Sequence, residues 1–145
     1  MSKTNTWETG LLELLFTNTT FAGVGDATGL PGAATAGSLY FSLHTSDPGE
    51  AGDQTTNECT YTSYARVAVA RSGSGWTVTG NAVAVDANVT FPGGTGGSGT
   101  ATHWGLGTAS SGAGKLLYKG AISPTIVTGS GVTPQLTAGT AVTED

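Results

Sequence analysis

Apolar and polar positions alternate along most of this chain with a period of two. In Ser38–Thr45, Leu39, Phe41 and Leu43 are separated by Tyr40, Ser42 and His44, and Ser46-Asp47-Pro48-Gly49 closes the run. Such alternation, ended by turn residues, predicts a half-buried β-strand. The same pattern recurs in Tyr64–Arg71, with Val67 and Val69 on one face, and in Trp76–Thr79 and Val83–Phe91. Thr100–Thr108 places Thr102, Trp104, Leu106 and Thr108 on one face, opposite His103, Gly105 and Gly107. Glycines confined to one face of a strand mark close backbone approach or a curved sheet. Lys115–Ile122 is the next strand, its lysines protecting an edge. Weaker signals follow at Thr125–Thr128, Gln135–Thr137 and Ala141–Thr143.

The period of 3.6 occurs once. Thr6–Phe16 carries Trp7, Leu11, Leu14 and Leu15 at helical spacing behind a potential cap at Thr6. Gly10 weakens this helix by about 1 kcal/mol relative to Ala, and the helix is expected to plug one end of the β-structure or, on a second reading, to dock on a neighbouring subunit as an assembly arm. Residues 17–37 read as a Gly/Ala/Thr-rich linker or long surface loop. The expected organisation is therefore a helix and linker arm over 1–37 and an all-β domain over 38–145. With about eight strands and no helices between them, that domain is an antiparallel β-sandwich, of jelly-roll order first and immunoglobulin-like order second.

Composition changes this picture in one respect. Charged residues make up 10% of the 145, against roughly 25% in an average soluble domain. Thr, Ser, Ala and 24 glycines take their place. The net charge is −5 and no basic stripe exists, which argues against nucleic acid as a partner. No stretch has the apolar length of a membrane span. The start lacks the pattern of a secretion signal, so synthesis in a cytoplasm is expected. The single Cys59 leaves no intrachain disulfide and no cysteine-rich zinc site.

Candidate chemistry is thin. Asp47, Glu50 and Asp53, three apart, suggest a calcium loop but lack its Asp-x-Asp-x-Asp-Gly pattern, so a solvated acidic loop is expected. His44 beside Asp47 would orient a base, yet no serine sits in a nucleophile elbow. His103 reads as packing, although His44, His103 and Asp47 together would suit a metal if the fold joined them. Cys59 has no activating neighbour, and Pro92–Gly99 is a flexible tip without phosphate-binding context. Neither catalytic residues, nor a cofactor, nor a bound metal is expected.

The run Leu39–Gly49, then Tyr64-Ala65-Arg66-Val67, Phe91-Pro92 and His103–Ala109 resembles a family of small tailed-bacteriophage virion proteins. These carry a tail-fibre-like label, and relatives of this size are similar to the jelly-roll cement proteins of phage heads. The resemblance implies a structural protein made in the bacterial host and carried on the virion, without catalytic residues. On the first reading it is a decoration protein on the outer capsid surface, clamping the major capsid protein and pairing with itself as a homodimer or homotrimer. Its assembly contacts would be Trp7, Leu11, Leu14, Leu15 and Phe16 of the helix and Asp47, Glu50 and Asp53 of the acidic loop, with Pro92–Gly99 as a further contact. The alternative is a tail-fibre or adhesin module that stacks a host glycan on Tyr40, Tyr61 or Trp104. A lytic enzyme is the third and least supported reading.

Overall fold

A computed structural model describes residues 2–144. The described chain has one helix, α1 (Asn5–Thr17), and nine strands: β1 (Ser38–His44), β2 (Val67–Ala70), β3 (Trp76–Thr79), β4 (Ala82–Val85), β5 (Val89–Thr90), β6 (Ser98–Gly107), β7 (Leu116–Gly129), β8 (Gln135–Leu136) and β9 (Ala141–Thr143). The pairings are antiparallel and form three sheets, ordered β2-β1-β6-β7, β3-β4-β9 and β5-β8. The protein is thus mostly β with one short N-terminal helix. A jelly roll would divide eight strands between two sheets, whereas these pairings give sheets of four, three and two strands.

Two compact units result, drawn differently from the expected 1–37 and 38–145. The first gathers Met1–Ser38, Ala70–Asn88 and Thr137–Asp145; the second holds Leu39–Val69 and Val89–Leu136. The helical arm is short of strands of its own, and chain from the middle and end of the sequence supplies them.

In the first unit α1 packs on β3 and β4. The expected buried stripe of Trp7, Leu11, Leu14 and Leu15 is not the one used. Leu12 and Phe16 are fully buried, on the face that also carries Glu8, while Trp7 is 39% exposed and Leu11, Leu14 and Leu15 are half-buried. Apolar residues surround the C-terminal half of this helix, so spacing alone could not choose a face. The choice comes from Trp76, whose ring takes Phe16 edge-on at 4.7 Å. Gly10 also has a positive role: a Cβ there would fall 2.5 Å from the Phe21 ring. Thr4 rather than Thr6 precedes the helix, without a side-chain cap, and Asn18 closes it in the left-handed conformation (φ 58°).

Residues 17–37 are more structured than a linker. Phe21 and Leu30 exchange backbone hydrogen bonds of 2.9 Å in each direction. The Asn18 amide bonds both the N–H and the carbonyl of Ala33, at 2.7 and 2.8 Å.

In the second unit, β1 is buried on both faces from Phe41 onward. Phe41 meets Trp104 at 5.8 Å, and Trp104 lies opposite Gly120 in the β6–β7 register. A Cβ on Gly120 would come within 2.6 Å of that indole, so the glycine makes room for the ring. Gly105 and Gly107 leave space in the same way for His44 with Ser42, and for Gln54, as glycines confined to one strand face imply. The two strands expected at 115–122 and 125–128 are one strand, β7, whose ladder to β6 shifts register between Ala101 and His103. The Pro92–Gly99 tip is anchored by backbone bonds from Gly94 to Val132 and from Thr95 to Thr62.

Candidate functional site

The polar groups of the second unit concentrate in the 45–66 segment after β1. Arg66 lies at its end, with a side chain only 2% exposed, and grips Glu58 through Nε and Nη2 at 2.7 and 2.8 Å. The same guanidinium donates to the carbonyls of Ala109 (3.0 Å) and Gly112 (2.8 Å). The Tyr64 hydroxyl donates to Glu58 at 2.9 Å and accepts from the Leu43 amide at 3.0 Å. Nearly every donor in this buried group thus has a partner, as burial of charge demands. The Glu58 hydrogen bond raises the Arg66 pKa, and burial drives the Tyr64 phenol far above its usual range. Neither group is tuned for proton transfer near neutrality.

The acidic loop is a surface feature of the same unit. The Lys119 ammonium on β7 reaches Asp47 at 3.0 Å and Glu50 at 3.1 Å. Asp53 turns away and accepts bonds from the Thr55 amide (2.8 Å) and hydroxyl (2.6 Å). The Gly49 amide, then Lys119, lowers the pKa of Asp47; the Thr55 bonds lower that of Asp53. The three carboxylates therefore do not converge as calcium ligands, since two share an ammonium and the third caps its own turn. Among the described residues no group of three His, Cys, Asp or Glu side chains is placed to hold a metal ion. A shallow cleft of about 270 Å³ runs beside this loop, between Gly49, Glu50 and Gly52 and the Leu116–Lys119 edge of β7.

His44 is fully buried, with Nε2 2.8 Å from the Ser42 hydroxyl and Nδ1 2.8 Å from the Thr56 carbonyl. A carbonyl only accepts, so Nδ1 carries the proton and the Ser42 hydroxyl donates to Nε2. This serine–histidine pair has no solvent access and no carboxylate behind it, so it is not a nucleophile. Burial also pushes the Cys59 thiol up to about 11, away from reactivity. Of the aromatic residues considered for sugar stacking, Tyr61 and Trp104 are buried at 4% and 8% exposure and present no open ring; Tyr40 is half-buried.

Of the helical contact residues, Phe16 lies in the core of the first unit, whereas Trp7, Leu11, Leu14 and Leu15 retain partial exposure. Trp7 rests on Phe21 at 5.5 Å, and Leu30, bridged to Phe21, is 37% exposed. Sequence reasoning missed the use of the two arginines. Arg66 and Arg71 look like neighbours on one strand, but Arg71 serves the first unit, donating to the carbonyls of Leu14 (2.7 Å), Leu15 (2.5 Å) and Ala36 (2.9 Å). No local signal marks a side chain that caps a helix more than fifty residues upstream.

Against known proteins, the family described as Podophage GP4 fiber I protein gp80 matches residues 2–143. No curated protein matches the chain.

Proposed function

The chain belongs to the podophage GP4 fiber I protein gp80 family, a family of phage structural proteins, and from that premise we propose that it is a building subunit of the virion's fibre apparatus. The observation that carries this reading is the extent of the match, which spans both compact units and nearly every residue. The site geometry agrees with a structural role. Its buried polar groups are spent on one another, in Arg66–Glu58–Tyr64 and in Ser42–His44–Thr56, leaving none of them poised over a cleft.

In this role the protein contacts further copies of itself, as a dimer or trimer, and neighbouring virion proteins. The half-exposed Trp7, Leu11, Leu14 and Leu15 supply one contact surface and the loop bearing Asp47, Glu50 and Asp53 another. A charge-poor, Thr/Gly-rich surface suits broad interfaces, because few charges need to be desolvated. The same property favours a second reading, a cement protein on the capsid lattice bound to the major capsid protein, where many copies would make weak individual contacts sufficient.

Copy number per virion, measured by quantitative mass spectrometry against the major capsid protein, together with immunogold labelling of intact particles, separates the two. A few to a few dozen copies with label at the tail is the expected outcome. A simple lattice ratio to the capsid protein, with label over the head, would establish the cement role instead.

A further inference from the structure

His44 and His103 are directly opposed in the β1–β6 register, so both imidazoles belong to one face of the sheet. The chain that covers His44 on that face is the 45–58 loop. Its Thr56 carbonyl receives the Nδ1 proton, and a bridge joins His44 to Glu58. That bridge consists of the backbone bonds from Thr45 to Asn57 (2.8 Å) and from Cys59 to Leu43 (2.8 Å), and the Gln54 amide adds a bond to the Ala113 carbonyl (2.9 Å).

The pocket holds a neutral ring and has little room to adjust. Gly105 lies so close that a Cβ would meet Nε2 at 2.6 Å and the Ser42 oxygen at 2.7 Å. A second ring proton on Nε2 would point at the hydroxyl that now donates to it, so Ser42 would have to turn and give up that bond. The charges around the ring are unevenly set. Glu58 favours a charged His44, but its carboxylate is already held by Arg66 and Tyr64; Arg66 and His103 oppose it. Asp47 and Lys119 pair with each other at the outer end of the loop. Burial is the largest influence and keeps the imidazole below its ordinary range.

We infer that the 45–58 loop is an acid-released strap: His44 takes up a second ring proton only when the loop lifts and water reaches the ring. The mechanism is a single proton from solvent bound to Nε2 in the open state and excluded in the closed one. It operates within the second unit and does not depend on the fibre reading.

Hydrogen–deuterium exchange of the intact protein between pH 7.5 and 5.5 tests it, with rates corrected for the intrinsic pH dependence of amide exchange. Protection of peptides spanning 45–58 should fall as the pH drops below about 6.5, approaching tenfold per pH unit for one proton taken up on opening. Peptides from α1 and β4, in the first unit, serve as the control and should lose less protection than the loop. His44→Gln should abolish the pH slope of the loop whatever its effect on absolute protection. Flat protection of the loop over this range, an unchanged slope in His44→Gln, or an equal loss in α1 and β4 would each overturn the proposal.

Discussion

Arg66 shows how a charged residue in a charge-poor protein becomes a structural fastener. Its guanidinium holds both carboxylate oxygens of Glu58 and two carbonyls from the loop before β7, while Tyr64 completes the Glu58 shell. Removing one member of such a pair strands the other in a poorly hydrated site, which typically costs about 3–5 kcal/mol. Arg66→Ala should therefore lower the unfolding free energy by about that amount in a urea titration. Arg66→Lys should recover only part of it, since an ammonium cannot make the forked contact. A loss below about 1 kcal/mol in Arg66→Ala would mean that water replaces the guanidinium without penalty.

At the scale of the element, α1 is marginal by itself. It has 13 residues, a glycine inside, no side-chain bond at its N-cap and no basic residue in its last turn. Packing against β3 and β4 holds it, and Arg71, in the bend just after β2, supplies the positive charge its C-terminus lacks. That guanidinium satisfies carbonyls that the end of a helix leaves without partners and complements the helix dipole. Arg71→Ala should destabilise the protein by about 2 kcal/mol, the order of hydrogen bonds to a charged donor. The helical circular-dichroism signal should fray before the main transition. An unchanged denaturation midpoint would show that the helix end is hydrated rather than capped.

At the scale of the whole molecule, the expected response to acid follows from which groups are perturbed. His44 has its folded pKa depressed, so the folded state binds fewer protons than the unfolded one. Its contribution is complete above the ordinary imidazole value of about 6.5 and is lost as the pH falls from there through the lowered folded value. Asp47 and Asp53 are also depressed; their contribution is present above about 3.8 and is lost as the pH falls below it. Both are exposed, so solvent screening keeps that second loss small. Melting temperature should accordingly hold level from pH 8 to 7 and decline between 6.5 and 5, and His44→Gln should flatten the decline. Aggregation near the isoelectric point of about 4.7 will accompany the lower end of this range. A curve that stays level to pH 5 would show that His44 is hydrated in the folded protein.

Legibility differed by kind of feature. The period-two pattern from Ser38 to Gly107 located β1, β2, β3, β4 and β6, because alternation is a local consequence of the pleat and of one buried face. The one helical stretch was located within a residue at each end, and the glycines sharing a face with His103 marked a crowded strand face without saying that the His44 and Gln54 side chains would fill it. Family membership was legible in motifs from Leu39 onward, and it reaches residues 2–143. What alternation could not decide is which strands pair, because a strand's face is local while its neighbour is a matter of topology. Nor could it foresee that Ser42 and His44, polar and expected outward, would be sealed beneath the 45–58 loop, or which stripe of a helix with apolar residues around its C-terminal half would turn inward. Those outcomes belong to tertiary structure. They rest on contacts such as Phe16 with Trp76, Arg71 with Leu14 and His44 with Thr56, whose partners lie from 12 to 60 residues apart and are made adjacent only by the completed sheets.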